Sequence, residues 1–507
     1  MNFVNSVADV LAEAGNDVTI FTPIVDDIYL NKTGLHYVRN VINQRFDKDI
    51  LESFQRIYGT KDVKAMLDQW NMDMSISSLM SLLEHSYLPS RICKAILSNQ
   101  TLLEQLRAEK YDLAIAEPVS MCGFVLFDYI DIPVTLAATS MLQLPTVSRA
   151  IGEPMSASFV PSHFAFFTDK MTIFERMQNL ISQLMAYIAF SYIGRMELDA
   201  VEEIVGKKDM NELLSKIAYS FHNSHPYIDF PRPEMPKTIP IGGITLEKQS
   251  KGKTTLAKEW NEVLNKRTTN VLISFGTCVK TSDMPEDYKK SFIALFESFP
   301  NTTFIWKYEN PEEDVFQGIG NLVLTEWMPQ VALLADPRLS LFITHGAIGS
   351  TIEVTHSGVP ALVIPIICEQ MRNAAAQKKH KVALTLTKED LEDKKKLINF
   401  VGEMLGNDEY RKNAKRFAEL LKHRPFSAKE LLLKHCDLAA KFGPITQLDS
   451  HATDLNVFQY YLIDVILLLL IASIFMISFI SLCIVYTCKR CKMRYQRKYL
   501  SGDKKNS

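Results

Sequence analysis

A run of 23 residues without a charged side chain, Val465–Thr487, constrains this 507-residue chain more than any other feature. As an α-helix the run is long enough to cross about 30 Å of hydrocarbon. Buried helices of soluble proteins seldom stay apolar over such a length. The sequence therefore predicts a membrane-spanning helix over 465–487, a juxtamembrane linker over 446–464 and a basic tail over 488–507.

The tail predicts the orientation of that helix. From Lys489 to the C-terminus there are eight Lys or Arg against one Asp, and basic residues favour the cytosolic side of a membrane. Residues 1–464 are then luminal, which agrees with glycosylation sequons at Asn31, Asn99 and Asn301. Lys504 stands fourth from the end beside a second lysine, the arrangement of endoplasmic reticulum retrieval signals. We expect a single-pass glycoprotein of that membrane.

The N-terminus lacks the leader that a luminal body normally needs. "MNFVNSVADVLAEAG" has two acids, no basic residue, and Val7, Val10 and Leu11 at helical spacing. The pattern predicts an amphipathic helix followed by the strand "VTIFTPI". We expect a chain that begins inside a domain.

Apolar strands alternate with helix-length stretches along both halves of the body. Examples are "YDLAIAEP" and "IPVTLAAT" in the first half, and "NVLISF", "TFIWKY", "SLFITH" and "PALVIPI" in the second. Such alternation predicts parallel sheets covered by helices. The Pro-rich stretch "SHPYIDFPRPEMPKTIPIGGI" predicts an interdomain linker. The expected fold is α/β, with two tandem domains, 1–225 and 226–445, an arrangement that predicts a cleft between them.

Two other features leave alternatives open. The apolar stretch "FERMQNLISQLMAYIAFSYIGRMELDA" predicts a long helix, and we favour its packing on a sheet over an apolar acceptor wall or a second membrane contact. The eight cysteines have no regular spacing, so their pairing stays undetermined. Cys488 and Cys491, beside the membrane run, are more typical of acylation than of a metal site.

The second half contains a strand, a glycine turn and a helix in "SLFITHGAIGSTIEVTHSG". A helix N-terminus presents free N–H groups and a partial positive charge, so it binds anions. Gly346 and Gly349 let a phosphate approach the backbone, and His345 at the strand end is positioned to donate to it. Glu353, one turn into the helix, is suited to ribose hydroxyls, and Ser350 lies near the helix start.

Three further motifs are predicted to lie at the same edge of the sheet, where ligands bind in open α/β folds. "ISFGT" supplies a small-residue loop, "EWMPQ" an aromatic ring for a nucleobase and an amide, and "CEQ" an acceptor and an amide for sugar hydroxyls. The residues concerned are Ser274, Gly276, Thr277, Trp327, Gln330, Glu369 and Gln370. Together they indicate a nucleotide-sugar site.

These motifs resemble the signature of the UDP-glycosyltransferases, and specifically of the animal membrane-bound UDP-glucuronosyltransferases. The resemblance extends over essentially the whole chain, including "SFVPSHFAFFTDKMTIFERMQN", "DFPRPEMPKTIPIGGI" and "DLNVFQYYLIDV". The resemblance implies a GT-B fold, in which two Rossmann-like domains face a cleft. It also implies a reaction, the inverting transfer of a hexosyl group to a hydroxyl of a small lipophilic acceptor. The group is glucuronosyl or glucosyl, and its donor is UDP-glucuronate or UDP-glucose. The resemblance implies no metal or other cofactor and no nucleic-acid partner, and it is compatible with homo-oligomers or hetero-oligomers of related transferases.

The resemblance also implies a role for each motif residue. Trp327 would stack on uracil, Gln330 and Glu353 would hold the ribose, and Glu369 and Gln370 would bind the sugar. The diphosphate would be held by Ser274, Thr277, His345, Gly349 and Ser350. Two positions depart from the family pattern: Ala347 replaces a usual Gly, and Glu369 replaces a usual Asp.

The largest departure concerns the general base. In the family a His removes the acceptor's proton and a carboxylate stabilises the resulting imidazolium. The carboxylate corresponds to Glu117 in "LAIAEPVSMCG", whereas the His would stand immediately before Met1, so the chain resembles a relative truncated at its N-terminus. Two functions remain open: a transferase, and a non-catalytic UDP-sugar-binding membrane partner that regulates active relatives. An epimerase is disfavoured because no GxGxxG follows the first strand.

Overall fold

The computed structural model describes residues 2–24, 34–58, 69–71, 87–249, 256–277, 279–367 and 369–502. The sequon at Asn31, the predicted retrieval signal at Lys504, and the cysteines Cys278 and Cys368 lie outside these ranges. The chain divides into two compact units, Met1–Asp449 and Ser450–Ser507. The first unit contains both halves of the body.

The first half of the body builds two parallel sheets. A pair of strands, β1 and β2, forms one sheet, and β3 to β6 form the other in sequence order. The strands are β1 Thr19–Ile24, β2 Asn40–Arg45, β3 Ala114–Ala116, β4 Thr135–Thr139, β5 Ser220–His222 and β6 Thr238–Pro240. The helices are α1 Asn2–Glu13, α2 Lys48–Tyr58, α3 Tyr87–Ser98, α4 Gln100–Ala108, α5 Cys122–Tyr129, α6 Pro145–Ala150, α7 Ile173–Val205 and α8 Met210–Ser215.

The predicted N-terminal amphipathic helix is present as α1. Val7, Val10 and Leu11 are buried in one cluster with Leu136 of β4 and Phe221 of β5. The residues recur at three- and four-residue spacing, so they share the face of the helix that covers the sheet. Gly15 ends the helix with φ = +97°, a conformation that glycine adopts without steric cost.

The second half builds a six-stranded parallel sheet with the order β12-β11-β10-β7-β8-β9. Its strands are β7 Thr269–Ser274, β8 Thr302–Lys307, β9 Leu322–Thr325, β10 Leu339–Thr344, β11 Ala361–Val363 and β12 Ala383–Thr385. The helices of this part of the chain are α9 Ile244–Gln249, α10 Lys258–Asn265, α11 Glu286–Ser298, α12 Gln330–Leu334, α13 Ile348–Ser357, α14 Gln370–Lys379, α15 Lys394–Gly406, α16 Asp408–Lys422 and α17 Ala428–Phe442. Two of them, α9 and α17, pack with α1 in the apolar cluster of the first half. The apolar runs quoted above as strands are thereby confirmed as strands of parallel sheets, covered on both faces by helices.

The Pro-rich stretch is packed into the body rather than exposed as a free linker. It supplies β6, which completes the first sheet beyond the predicted boundary at residue 225. Ile228, Asp229 and Phe230 within it are buried. The guanidinium of Arg372, on α14, pairs with the Asp229 carboxylate and lies over the Phe230 ring. The stretch therefore connects the two halves through buried contacts.

The long predicted helix is present as α7, whose start carries a capping box between Thr172 and Glu175. Its second half is buried through Ile193, Leu198 and Val201, and it packs on the helices α3, α5, α6 and α8 rather than on a sheet as expected. Its first half differs from the expectation because a stripe of large apolar side chains is exposed there, namely Ile173, Phe174, Met177, Ile181 and Ile188. The helix thus has both a buried and an exposed apolar face.

A disulfide joins Cys93 on α3 to Cys122 at the start of α5. Spacing alone did not indicate this pair, because 29 residues separate the two cysteines in the sequence. The pair closes a loop around β3, whose C-terminal end carries Glu117.

The second unit contains α18, Val457–Tyr460, and α19, Ile463–Gly502. Within α19, residues Ile463–Arg497 are long and apolar enough to cross a membrane. Their apolar side chains, including those of Leu468, Phe475 and Leu482, are exposed rather than buried. The predicted single C-terminal membrane helix is therefore present as one candidate span.

Candidate active site

The strand order of the second sheet creates a switch point between β7 and β10. The chain runs from β7 outward through β8 and β9, then returns to the other side of β7 to form β10, β11 and β12. Ser274, the last residue of β7, is paired with Thr344, the last residue of β10. In open α/β sheets the loops that leave such a point diverge and open a crevice for ligands. Two of the predicted motifs begin there.

The loops after β7 and β10 are in close contact. Gly276 has φ = +83°, and a Cβ built on it would lie 2.7 Å from Nε2 of His345. Only glycine fits between the loop and the imidazole ring. The sequence prediction that Ser274, Gly276 and His345 act together is therefore consistent with their positions.

His345 is a neutral imidazole in this environment. The ring is buried, and burial together with the nearby ammonium of Lys307 lowers the pKa of His345 to about 4. A neutral imidazole carries one N–H, which is a hydrogen-bond donor without a full charge. Lys307 itself is paired with Glu309 at 3.0 Å.

The turn that leads from His345 into α13 needs one glycine. Gly346 has φ = +85°, and a Cβ there would lie 2.6 Å from Cγ1 of Val363 on β11. Its carbonyl accepts hydrogen bonds from Thr351 Oγ1 at 3.2 Å and from Asn373 Nδ2 at 3.0 Å. These bonds fix the turn that aims the first N–H groups of α13 toward the crevice.

The departure at Ala347 has a simple structural explanation. Ala347 is the N-cap residue of α13 with φ = −57° and ψ = 149°, an ordinary extended conformation that any residue adopts. Gly349, in the first turn, is exposed, and a Cβ there would meet no atom within 4 Å. Ser350 beside it is half-buried. The helix N-terminus is open on the side that a phosphate would approach.

The predicted ribose residues contact each other. Nε2 of Gln330, the first residue of α12, donates to Oε2 of Glu353 at 2.6 Å. Burial raises the pKa of Glu353, and the bond from Gln330 partly opposes that rise. Trp327, three residues earlier, is 72% exposed, so its ring presents a free face. Thr277 is also exposed.

Glu369 and Gln370 stand at the start of α14. Burial raises the pKa of Glu369, and the backbone N–H of Ile348 opposes that rise, so this carboxylate is close to the N-terminus of α13. Oε1 of Gln370 accepts bonds from the backbone N–H groups of Ile366 and Ile367 at 2.8 and 3.0 Å. The side-chain amide oxygen of Gln370 therefore holds the loop that follows β11. The sequence did not predict this role.

Glu117 lies in the other half, directly after β3. Oε1 of Glu117 accepts the backbone N–H of Ser140 at 2.9 Å and also the hydroxyl of Ser140, which follows β4. Asn223 donates to the Ser140 carbonyl at 3.1 Å. Among the described residues, no histidine is hydrogen-bonded to Glu117. The carboxylate is thus held by the ends of two neighbouring strands.

Sequence reasoning missed the residues that hold the predicted ones. Ser140 directly follows strand β4, and a polar residue at the carboxyl end of a parallel strand was the available signal. Asn373 lies in the first turn of α14. Asn373 follows Gln370 by three residues in one helix, so the helical period would place both on one side.

A glycine turn and an open helix N-terminus at the switch point of a parallel sheet define a nucleotide-binding α/β protein. A family model described as UDP-glucoronosyl and UDP-glucosyl transferase matches residues 2–498. The chain therefore belongs to the UDP-glucuronosyl and UDP-glucosyl transferase family.

Individual relatives agree with this assignment. UDP-glucuronosyltransferase 3A1 of Xenopus laevis is 25% identical over 492 residues, which cover 96% of this chain and 88% of the relative. UDP-glucuronosyltransferase 1-2 of Mus musculus is 26% identical and covers 92% of this chain and 84% of the relative. The chain is therefore a member of an enzyme family of UDP-glycosyltransferases.

Solved structures show the fold. A UDP-glucosyltransferase from Polygonum tinctorium capable of glucosylating indoxyl superposes with a TM-score of 0.58 at 13% identity, covering 87% of this chain and 96% of that one. The glycosyltransferase VinC, in complex with DTDP, gives a TM-score of 0.55 at 13% identity over the same share of each chain. The predicted GT-B architecture is confirmed.

Proposed function

We propose that this protein transfers a glucuronosyl or glucosyl group from its UDP-sugar to a hydroxyl of a small lipophilic acceptor, with inversion at the anomeric carbon. The observation that carries the donor half of the proposal is the β7–β10 switch point, where Ser274, Gly276 and His345 meet. The names of the relatives support the sugar class, and a structural neighbour described as capable of glucosylating indoxyl supports a small aromatic acceptor.

The donor is held through its uracil, ribose and diphosphate. The exposed Trp327 ring stacks on uracil, and the hydrogen-bonded pair Gln330 and Glu353 binds the ribose hydroxyls. The diphosphate lies against the N–H groups of α13 near Gly349 and accepts a bond from the neutral imidazole of His345. Partial charges and N–H donors then stabilise the UDP that leaves, so the proposal needs no metal or other cofactor.

The acceptor hydroxyl attacks the anomeric carbon while the bond from that carbon to the UDP oxygen breaks. The hydroxyl proton passes to a general-base histidine, and the Glu117 carboxylate stabilises the imidazolium. Ser140 keeps one oxygen of Glu117 in place and leaves the other for the imidazole. Glu369 and Gln370 hold the transferred sugar from the opposite half.

A second candidate function follows from the surroundings of Glu117. Because no described histidine reaches this carboxylate, residues 1–507 are also suited to a UDP-sugar-binding membrane partner that regulates active relatives. Donor binding is common to both candidates, and transfer belongs to the first alone.

Binding and transfer are measured separately on the full chain in lipid nanodiscs. Calorimetry with UDP tests the donor site, and the His345→Ala variant should bind UDP at least about tenfold more weakly, a loss of about 1.4 kcal/mol. Transfer from both UDP-sugars to a phenol panel is then compared between the 507-residue chain and the same chain extended by a Ser-His pair before Met1. Transfer by the extended chain that is abolished in its Glu117→Gln variant supports the enzyme. UDP binding without transfer by either chain supports the regulatory partner.

We also propose that the protein is a single-pass membrane protein of the endoplasmic reticulum with a luminal body and a cytosolic tail. The basic residues after the candidate span support this orientation. Protease added to sealed microsomes should remove the tail and leave residues 1–449 intact. Digestion of the body under the same conditions would contradict the orientation.

A further inference from the structure

A turn from the first half of the body is built into the core of the second half. Gln69–Asn71 is a described segment, and Trp70 at its centre is 2% exposed. The neighbours of Trp70 belong to the apolar cluster under one face of the second sheet, which includes Val271, Ile273 and Trp306. A residue that precedes this sheet by about 200 positions therefore completes its core.

Trp70 contacts the loop that follows β7. Its ring lies edge-on to Phe275, with 5.2 Å between the ring centroids, and edge-on to Tyr288 at 6.3 Å. Phe275 stands between Ser274 and Gly276, two of the residues assigned to the donor. The indole Nε1 of Trp70 donates to the carbonyl of Lys280 at 2.9 Å. The stretches 274–277 and 279–282, hereafter together the donor loop, are thus each contacted by this one side chain, through Phe275 and Lys280 respectively.

Other contacts show that this arrangement is specific. The ammonium of Lys388, which is 2% exposed, donates to the Gln69 carbonyl at 3.0 Å and holds the turn in its place. On the far side of the donor loop, Oε2 of Glu309 accepts the backbone N–H groups of Thr281 and Ser282 at 2.8 and 3.2 Å. The donor loop is therefore held by contacts with Trp70 of the first half and with the Glu309 carboxylate of the second half.

We propose that Trp70 is a positioning residue for the donor diphosphate. The inference rests on the proposed function, in which the donor binds at the β7–β10 switch point where Ser274, Gly276 and His345 meet. The family resemblance assigns Ser274 and Thr277 to the diphosphate. Removing the indole leaves a cavity beside Phe275 and leaves the Lys280 carbonyl without its hydrogen-bond donor. The donor loop then relaxes into the cavity, and its backbone N–H groups no longer keep the orientation that diphosphate binding needs. Affinity for the donor thereby depends on a residue that lies in the acceptor half of the sequence.

The matched control is Trp260 on α10. It is 9% exposed and packs with Leu264 and Leu272. Leu272 alternates with Val271 and Ile273 along β7, so Trp260 lies on the opposite face of the same sheet, away from the donor loop. Truncating either tryptophan removes a large buried side chain, and only Trp70 contacts the loop.

The full chain in nanodiscs is titrated with UDP and with uridine, which lacks the diphosphate, at a temperature where circular dichroism shows every variant folded. For Trp70→Ala we expect at least a tenfold loss of UDP affinity, a change below twofold for uridine, and faster amide exchange over residues 275–282. Trp70→Phe keeps a smaller aromatic ring beside Phe275 and loses the bond to Lys280 together with part of the packing, so we expect a loss of about threefold. Trp260→Ala should change neither affinity nor exchange in the loop.

Each alternative outcome has a distinct meaning. Equal UDP affinities in the Trp70 variants and the unsubstituted chain would overturn the positioning role while leaving the proposed donor site standing. If a Trp70 variant lost affinity for UDP and for uridine to the same extent, or if Trp260→Ala lost as much UDP affinity as Trp70→Ala, the positioning role would be overturned. Trp70 would then contribute only to the general stability of the fold. If the unsubstituted chain failed to bind UDP, that result would contradict the proposed function, and therefore also the positioning role of Trp70 that rests on it. Should Trp70→Ala not fold, Trp70→Phe decides by its ratio of UDP to uridine affinity.

Discussion

At the scale of one residue, the backbone geometry at Gly346 explains why the motif has glycine at this position. Its φ of +85° and the closeness of Val363 leave no room for a side chain, while Ala347 beside it sits in ordinary extended backbone. From the sequence alone, Gly346 is predicted to let a phosphate approach the backbone closely. The structure adds a second reason, which is the packing of the turn against β11.

The Gly346→Ala variant should therefore lose about 1–3 kcal/mol of unfolding free energy, since strained backbone and a close contact both act against it. UDP affinity should fall as well, because the turn aims α13. The matched variant, Ala347→Gly, should cost at most about 1 kcal/mol. Chemical denaturation and calorimetry on both variants check this, and equal effects at the two positions would contradict the geometric explanation.

At the scale of the element, α5 is capped by a side chain from another helix. Oε2 of Glu197, in the last third of α7, accepts hydrogen bonds from Ser120 Oγ at 2.9 Å and from the backbone N–H groups of Met121 and Cys122 at 2.6 and 3.1 Å. The orphan N–H groups at a helix start are thus satisfied by a buried carboxylate. This cap also holds the loop that connects Glu117 to α5.

Burial raises the pKa of Glu197 to about 7 even though its three hydrogen bonds favour the charged form. Because the pKa is higher in the folded state than in the unfolded state, the folded protein binds more protons between about pH 4.5 and 7. The free energy of unfolding should accordingly fall as the pH rises through this window, by an amount on the order of 3 kcal/mol. Above pH 7 this contribution should level off.

The Glu197→Gln variant removes the titration while keeping an oxygen that accepts the N–H groups of Met121 and Cys122. Denaturation from pH 5 to pH 8 should show a shallower pH dependence for this variant than for the unsubstituted chain. A second carboxylate on the same helix, that of Glu203, is 86% exposed as a side chain, so Glu203→Gln serves as the control and should leave the slope unchanged. Identical slopes in the Glu197→Gln variant and the unsubstituted chain would refute the assignment.

At the scale of the whole molecule, the two halves are joined by a buried ion pair. Arg372 is paired with Asp229, and its Nε donates to the Pro161 carbonyl at 2.9 Å. Burial alone would raise the pKa of Asp229, but the charges of Arg372 and Arg232 outweigh it and hold that pKa below its ordinary value. Since α14 also begins with the proposed sugar residues, this pair ties the donor side of the site to the first half.

Arg372→Ala should cost up to about 3–5 kcal/mol of unfolding free energy, because it leaves the buried Asp229 with the guanidinium of Arg232, 3.9 Å away, as its remaining charged partner. The double variant with Asp229→Ala should be less destabilised than the sum of the two single variants. A matched control on the same helix is Lys379, whose pair with Asp169 is 30% and 27% exposed, so Lys379→Ala should cost less than about 1 kcal/mol. A strictly additive cycle for Arg372 and Asp229, measured by denaturation, would contradict the coupling.

Local pattern was sufficient for much of this fold. The spacing of Val7, Val10 and Leu11 predicted α1, the apolar runs predicted the parallel strands, and the uncharged run predicted the candidate membrane span. These features depend on the periodicity and hydrophobicity of neighbouring residues, which any short window contains. The motif around His345 likewise predicted a strand, turn and helix, because glycine and helix-start chemistry are local.

Only the tertiary structure decided which side chains hold these elements in place. Ser140 reaches Glu117 because β3 and β4 lie side by side, and Trp70 reaches the donor loop across about 200 residues of sequence. The pairing of Cys93 with Cys122 and of Arg372 with Asp229 has the same origin. Burial also fixed the neutral state of His345. Such contacts depend on the packing of distant segments and on the low polarity of the interior, and neither is encoded in the spacing of adjacent residues.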